Sequence, residues 1–88
     1  MTDKTNDILE HYGDTHQIIK TIEELGELQS ALARWLNKER VSREDVITEI
    51  ADVKIMAEQM AWHFGKNEVD KEVWRKIERQ VERINEKL

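Results

Sequence analysis

The chain has 88 residues, no cysteine, no proline, and a formal net charge of −5 from 14 basic and 19 acidic side chains. This length supports one domain, residues 1–88; disulfides are excluded, and an acidic chain argues against a general nucleic-acid binder, whose phosphate contacts call for basic patches. No apolar run approaches the roughly 20 residues of a membrane span, and Met1-Thr2-Asp3-Lys4-Thr5-Asn6 lacks the apolar stretch of a signal peptide, so no membrane partner and a cytoplasmic location are expected.

With only Gly13, Gly26 and Gly65 to interrupt helices, and no proline, the expected fold is all-α. Residues 1–13 form an N-terminal extension or a short helix in which Ile8, Leu9 and Tyr12 lie against the bundle. The first main helix is expected over about 15–38, capped by Asp14 or Thr15. Its apolar face is Ile18, Ile22, Leu25, Leu32 and Leu36, at helical spacing. Asn37-Lys38-Glu39-Arg40 is a polar joint. Ser42-Arg43-Glu44-Asp45 then reads as a cap, with Asp45 as a shortened capping-box partner, opening a second helix over about 43–64. Val46, Ile50, Val53, Ala57, Met60 and Phe64 form its stripe, and Gly65 is placed to end it in a left-handed conformation. The third main helix, about 68–88, is expected to start near Asn67 or Asp70; Trp74, Ile77, Val81, Ile84 and Leu88 give it a coiled-coil-like seam. The sum is an antiparallel bundle of three main helices. A core this small, with no disulfide to supplement it, is expected to be completed by oligomerisation.

Two acidic pairs stand out: Glu23-Glu24-Leu25-Gly26-Glu27 and Glu49-Ile50-Ala51-Asp52. Residues three apart on a helix project to nearly the same side, so Glu24 with Glu27, and Glu49 with Asp52, each aim two carboxylates in one direction. Such pairs are common on solvated helix faces. Orientation separates the cases: at about 100° per residue Glu49 falls roughly 40° from Val53, inside the apolar arc, where a carboxylate needs a partner. Two such helices packed together would concentrate acidic groups that require cations, and all-oxygen ligation suits Mg²⁺ or Mn²⁺. This points to a metal-dependent enzyme acting on phosphates. No histidine has an acid three residues before it, as a di-iron bundle requires, and no glycine-rich phosphate loop is present. Ser30 and Ser42 lack the strained turn of a nucleophile.

Glu23-Glu24-x-x-Glu27 followed, after one helix–turn–helix connection, by Glu49-x-x-Asp52 resembles the signature of the all-α nucleoside triphosphate pyrophosphohydrolases. The surrounding Glu24-Leu25-Gly26-Glu27-Leu28 and Glu49-Ile50-Ala51-Asp52-Val53-Lys54-Ile55-Met56 look similar to small MazG-like proteins of bacteria and their phages. The likeness covers roughly residues 15–88. It implies hydrolysis of a nucleoside triphosphate to monophosphate and pyrophosphate, with Glu24, Glu27, Glu49 and Asp52 as Mg²⁺ ligands. Glu23 would lie just behind the ligands or help position a water, and either Glu23 or Glu27 would take that water's proton. It also implies assembly as a homodimer or homotetramer.

Candidate substrate contacts each carry a simpler reading. Lys20, one turn before Glu24, makes a phosphate contact or an intrahelical pair; the pair is favoured. Trp35 flanks the acidic strip and stacks on a base or packs in the core; Trp62, opposite Val53, covers the bundle edge or meets another subunit. Lys76, Arg79 and Arg83 form a basic stripe that grips the triphosphate or pairs with interleaved Glu72, Glu78, Glu82 and Glu86. One motif set, a short connection and no base-selecting insertion set this chain apart from the larger enzymes. The alternative is a non-catalytic helical oligomer, a regulatory module that retains the bundle.

Overall fold

The computed structural model describes residues 2–86, with side chains from residue 4. They form four helices, α1 (Thr2–Tyr12), α2 (Asp14–Leu36), α3 (Arg43–Phe64) and α4 (Lys66–Glu86). The all-helical expectation holds, but the described residues make four helices where three main ones were expected. Residues 2–12 are a full helix, because Thr5 and Leu9, one turn apart, are buried as α1 packs on α2 and α3. Of the three apolar residues expected there, Leu9 alone is buried; Ile8 and Tyr12 are exposed.

The joints follow from local chemistry. Gly13, at φ 88°, donates its N–H to the Leu9 carbonyl and accepts from Gln17 N–H, so one residue ends α1 and starts α2. A side chain at that φ would be strained, and Gly13 therefore takes the cap position expected of Asp14 or Thr15. The first main helix stops at Leu36, short of 38, as Lys38 turns into the left-handed region at φ 57°. Gly65, at φ 134°, joins α3 to α4 in a single residue, so α4 begins at Lys66, earlier than Asn67. Lys66 bridges the two helices, 2.9 Å from Glu58 and 3.0 Å from Asp70. Leu88, the last member of the expected α4 seam, lies outside the described residues.

The capping box is present: Asp45 N–H donates to Ser42 Oγ and Ser42 N–H to Asp45 Oδ2, each at 3.0 Å. The Ser42 main-chain and side-chain hydrogen bonds hold the Asp45 carboxyl below its ordinary value, with Arg34 adding a smaller pull. A carboxyl depressed in the folded state contributes stability above its unfolded value and loses it as pH falls through the folded value. Asp45→Asn is therefore expected to melt a few degrees lower than the wild type near neutral pH. The gap should close as the pH falls through the folded value, which melts across an acid series would check.

The main packing is α2 against α3, and its seam differs from the expected apolar one. The buried residues are Gln17, Glu24 and Ala31 on α2 and Met56, Gln59 and Ala61 on α3. Gln17 Nε2 donates to Gln59 Oε1 at 2.8 Å, and Gln59, 1% exposed, is the most enclosed large side chain. The stripe assigned to the core lies largely outside: Ile22, Leu25, Leu32, Leu36, Ile50 and Phe64 are all exposed. Small and hydrogen-bonded residues thus fill the seam between α2 and α3, and the bulkier apolar row faces outward.

Helix α4 packs on α3 alone among the described helices and buries none of its residues. Trp74, Ile77, Val81 and Ile84 are all about half exposed or more. Accordingly the radius of gyration is 15.9 Å, against about 12 Å for a compact chain of this length. The accessible surface is 7168 Å², roughly 1,700 Å² above that of a compact monomer of the same mass. No described helix is long and apolar enough to cross a membrane.

Candidate metal centre

The polar seam is what assembles the site. On α2, Gln17, Glu24 and Ala31 recur every seven residues and face α3. On α3, Asp52 and Gln59 are likewise seven residues apart, with Met56 between them and Glu49 one turn before Asp52. Glu24, Glu49 and Asp52 thus meet across the helix pair, one carboxylate oxygen of each lying within 4.8 Å of the others.

Glu24 is 8% exposed, and Glu49 and Asp52 are half-buried. Glu24 Oε1 is 3.3 Å from Lys20 Nζ, whereas Glu24 Oε2 and Glu49 Oε2 are buried without a hydrogen-bond partner. Two carboxylates at 4.8 Å repel by about 3 kcal/mol at an effective dielectric near 20. One ammonium cannot offset three such charges. In an octahedral Mg²⁺ site neighbouring ligand oxygens stand about 2.9 Å apart and opposite ones about 4.2 Å, so the three side chains would draw together around an ion, and their all-oxygen donor set suits Mg²⁺ or Mn²⁺. The residues fit that ion.

Glu27 lies outside this cluster, exposed on the next turn of α2. The charges of Glu24 and then Glu49, with some burial, push its carboxyl above the ordinary value. Glu23 is exposed and 3.7 Å from Lys20 Nζ. Lys20 therefore serves as the intrahelical partner of Glu24 and Glu23, and these contacts, led by the Glu24 hydrogen bond, raise its own pKa.

The other sequence candidates are dispersed. Trp35 is about half exposed and lines a separate recess with Leu36, Lys38, Glu39 and Val41, so core packing does not describe it. Trp62 is half-buried with its Nε1 enclosed and unpartnered. Lys76, Arg79 and Arg83 ride on α4, and none lines a recess at the carboxylates. On that helix Glu72 pairs with Arg75.

Two recesses flank the cluster. One is lined by Lys20, Glu24, Asp52, Ile55 and Met56. The larger, about 340 Å³, runs from Glu27 and Glu49 past Ser30 and Thr48 to Arg34 and Asp45. Arg34 escaped the sequence reading; its signal was its place two turns after Glu27, on the same side of α2. Comparison of the chain with family models, characterised proteins and solved structures finds no match in any of the three.

Proposed function

We propose that this chain is a Mg²⁺-dependent nucleotide pyrophosphohydrolase that cleaves a nucleoside triphosphate, ribo- or deoxy-, to monophosphate and pyrophosphate in the cytoplasm. The observation that carries the proposal is the convergence of Glu24, Glu49 and Asp52 with two buried carboxylate oxygens left without partners. The motif resemblance supplies the reaction class, and the all-oxygen donor set agrees with it.

Glu24, Glu49 and Asp52 would hold the ion, with Glu27 joining from the rim. When bound, Mg²⁺ supplies neutralisation of phosphate charge, orientation of the α-phosphorus and acidification of water. Lys20 holds one oxygen of Glu24 in place through its ion pair. Water attacks the α-phosphorus, the bond from that phosphorus to the bridging oxygen breaks, and pyrophosphate leaves with the electron pair. The attacking water's proton passes to a carboxylate beside the cluster. Glu27 suits that task because its neighbours already favour its protonated form; Glu23, exposed nearby, is the alternative acceptor.

The same proposal includes self-association as a homodimer or homotetramer. A surface excess of roughly 1,700 Å² per chain is about twice what each partner contributes to a standard interface, and the apolar rows of α2, α3 and α4 supply its chemistry. Within one chain Lys76, Arg79 and Arg83 stand apart from the carboxylates, so any phosphate contact they make requires α4 of a second copy.

A hydrolysis screen over standard and modified nucleoside triphosphates tests the reaction. The expected products, only with Mg²⁺ or Mn²⁺, are monophosphate and pyrophosphate. Orthophosphate as the first product would mean that a different phosphoanhydride bond is cleaved and would overturn the pyrophosphohydrolase assignment; no turnover across the panel would favour the non-catalytic module.

A further inference from the structure

Beside the carboxylate cluster lies a feature that the metal assignment does not use. The larger recess places three acidic groups, Glu27, Asp45 and Glu49, opposite a single cation, Arg34. Arg34 is loosely held. Its Nε is 3.8 Å from Glu39 Oε1, and its Nη2 is 3.4 Å from the Arg40 carbonyl, both longer than a firm charge-assisted hydrogen bond. A guanidinium carries five donors in a planar fork, so most of its donor capacity stays open toward the recess.

We infer that Arg34 binds the phosphate chain of the metal-bound substrate, as a substrate-binding residue distinct from the metal ligands. The inference rests on the proposed reaction at the neighbouring carboxylates. Without a divalent cation the recess is net negative and repels phosphate. With the cation bound at Glu24, Glu49 and Asp52, the adjoining wall is neutralised and the Arg34 fork becomes the favourable anchor. Phosphate binding should therefore depend on metal, while metal binding should not depend on Arg34. Ser30 and Thr48 add hydroxyls to the same wall. The recess volume of about 340 Å³ leaves room for a diphosphate unit.

Calorimetry with inorganic pyrophosphate as the probe, at saturating Mg²⁺, tests this on the intact protein. Arg34→Gln is expected to weaken pyrophosphate binding at least about tenfold, the loss of one charge-assisted contact, and to leave Mg²⁺ affinity within about twofold. Arg34→Lys should recover part of the loss, since a point charge replaces a bidentate fork. Glu39→Gln removes the weak partner but keeps the guanidinium, so it should leave pyrophosphate binding unchanged or tighter.

If Arg34 merely braced the α2–α3 connection, Arg34→Gln and Glu39→Gln would act alike, which would overturn the inference. Unchanged pyrophosphate affinity in Arg34→Gln would overturn it too, with the hydrolase reading intact. Absence of Mg²⁺ uptake by the wild type would instead remove the reading beneath it.

Discussion

Glu49→Gln is expected to make the metal-free protein more stable while abolishing its response to Mg²⁺ and its turnover. The cluster brings carboxylate oxygens of Glu24, Glu49 and Asp52 within 4.8 Å of one another, and Glu24 is 8% exposed. Removing one charge, after screening and the contribution of Lys20, relieves on the order of 1 kcal/mol. For a domain of this size that raises Tm by about 5 °C. Glutamine keeps the shape of the side chain, so packing along α3 is preserved. The ranking should invert when metal is added. A cation at about a hundred times its Kd stabilises the wild type by about 2.7 kcal/mol, more than the variant gained. Melts of both proteins with and without Mg²⁺ check this crossover. A variant that melts lower than the wild type in both conditions, by the same amount, would show that Glu49 only supports packing.

Charging the seam of α4 is expected to dissociate the proposed assembly without unfolding the chain. Ile77 and Val81 are one turn apart and 47% and 50% exposed, so neither is held by the core of its own chain. Ile77→Glu with Val81→Glu therefore costs a single chain little. In a symmetric dimer the double variant removes four half-buried apolar side chains, each contributing about 1 kcal/mol on covering its remaining surface. The expected weakening is at least about a thousandfold in the dimer dissociation constant. Sedimentation at micromolar concentration checks the mass, and circular dichroism checks that helix content is retained. A wild type that is monomeric under these conditions, or a variant that stays associated, would contradict self-association through α4.

The all-helical fold, the α2–α3 joint and the capping box were legible because each rests on local chemistry: glycine placement, a polar stretch, and serine three residues before aspartate. Glu49 and Asp52 were legible for a related reason, since three-residue spacing on one helix survives any packing; Glu24 meets them across the helix pair, whereas Glu27, which the same spacing paired with Glu24, stays outside the cluster. The core was not legible. Apolar periodicity marked Ile22, Leu25, Leu32 and Ile50 as interior, yet the chain buries Gln17, Gln59, Ala31 and Ala61 and leaves those residues exposed. Periodicity reports which face is apolar, and that face is covered either by the chain itself or by another molecule. The exposed seam of α4 has the same ambiguity. Arg34 was missed because it follows Glu27 by two turns, beyond the three-residue pairs on which the sequence reading was built.

The proposed divalent-cation site at Glu24, Glu49 and Asp52 is tested most directly by calorimetric titration of the intact protein with Mg²⁺. Saturable uptake is expected in the wild type and none in Glu49→Gln. A wild type that takes up no Mg²⁺ at millimolar concentration, or a Glu49→Gln variant that binds it equally well, would contradict the assignment.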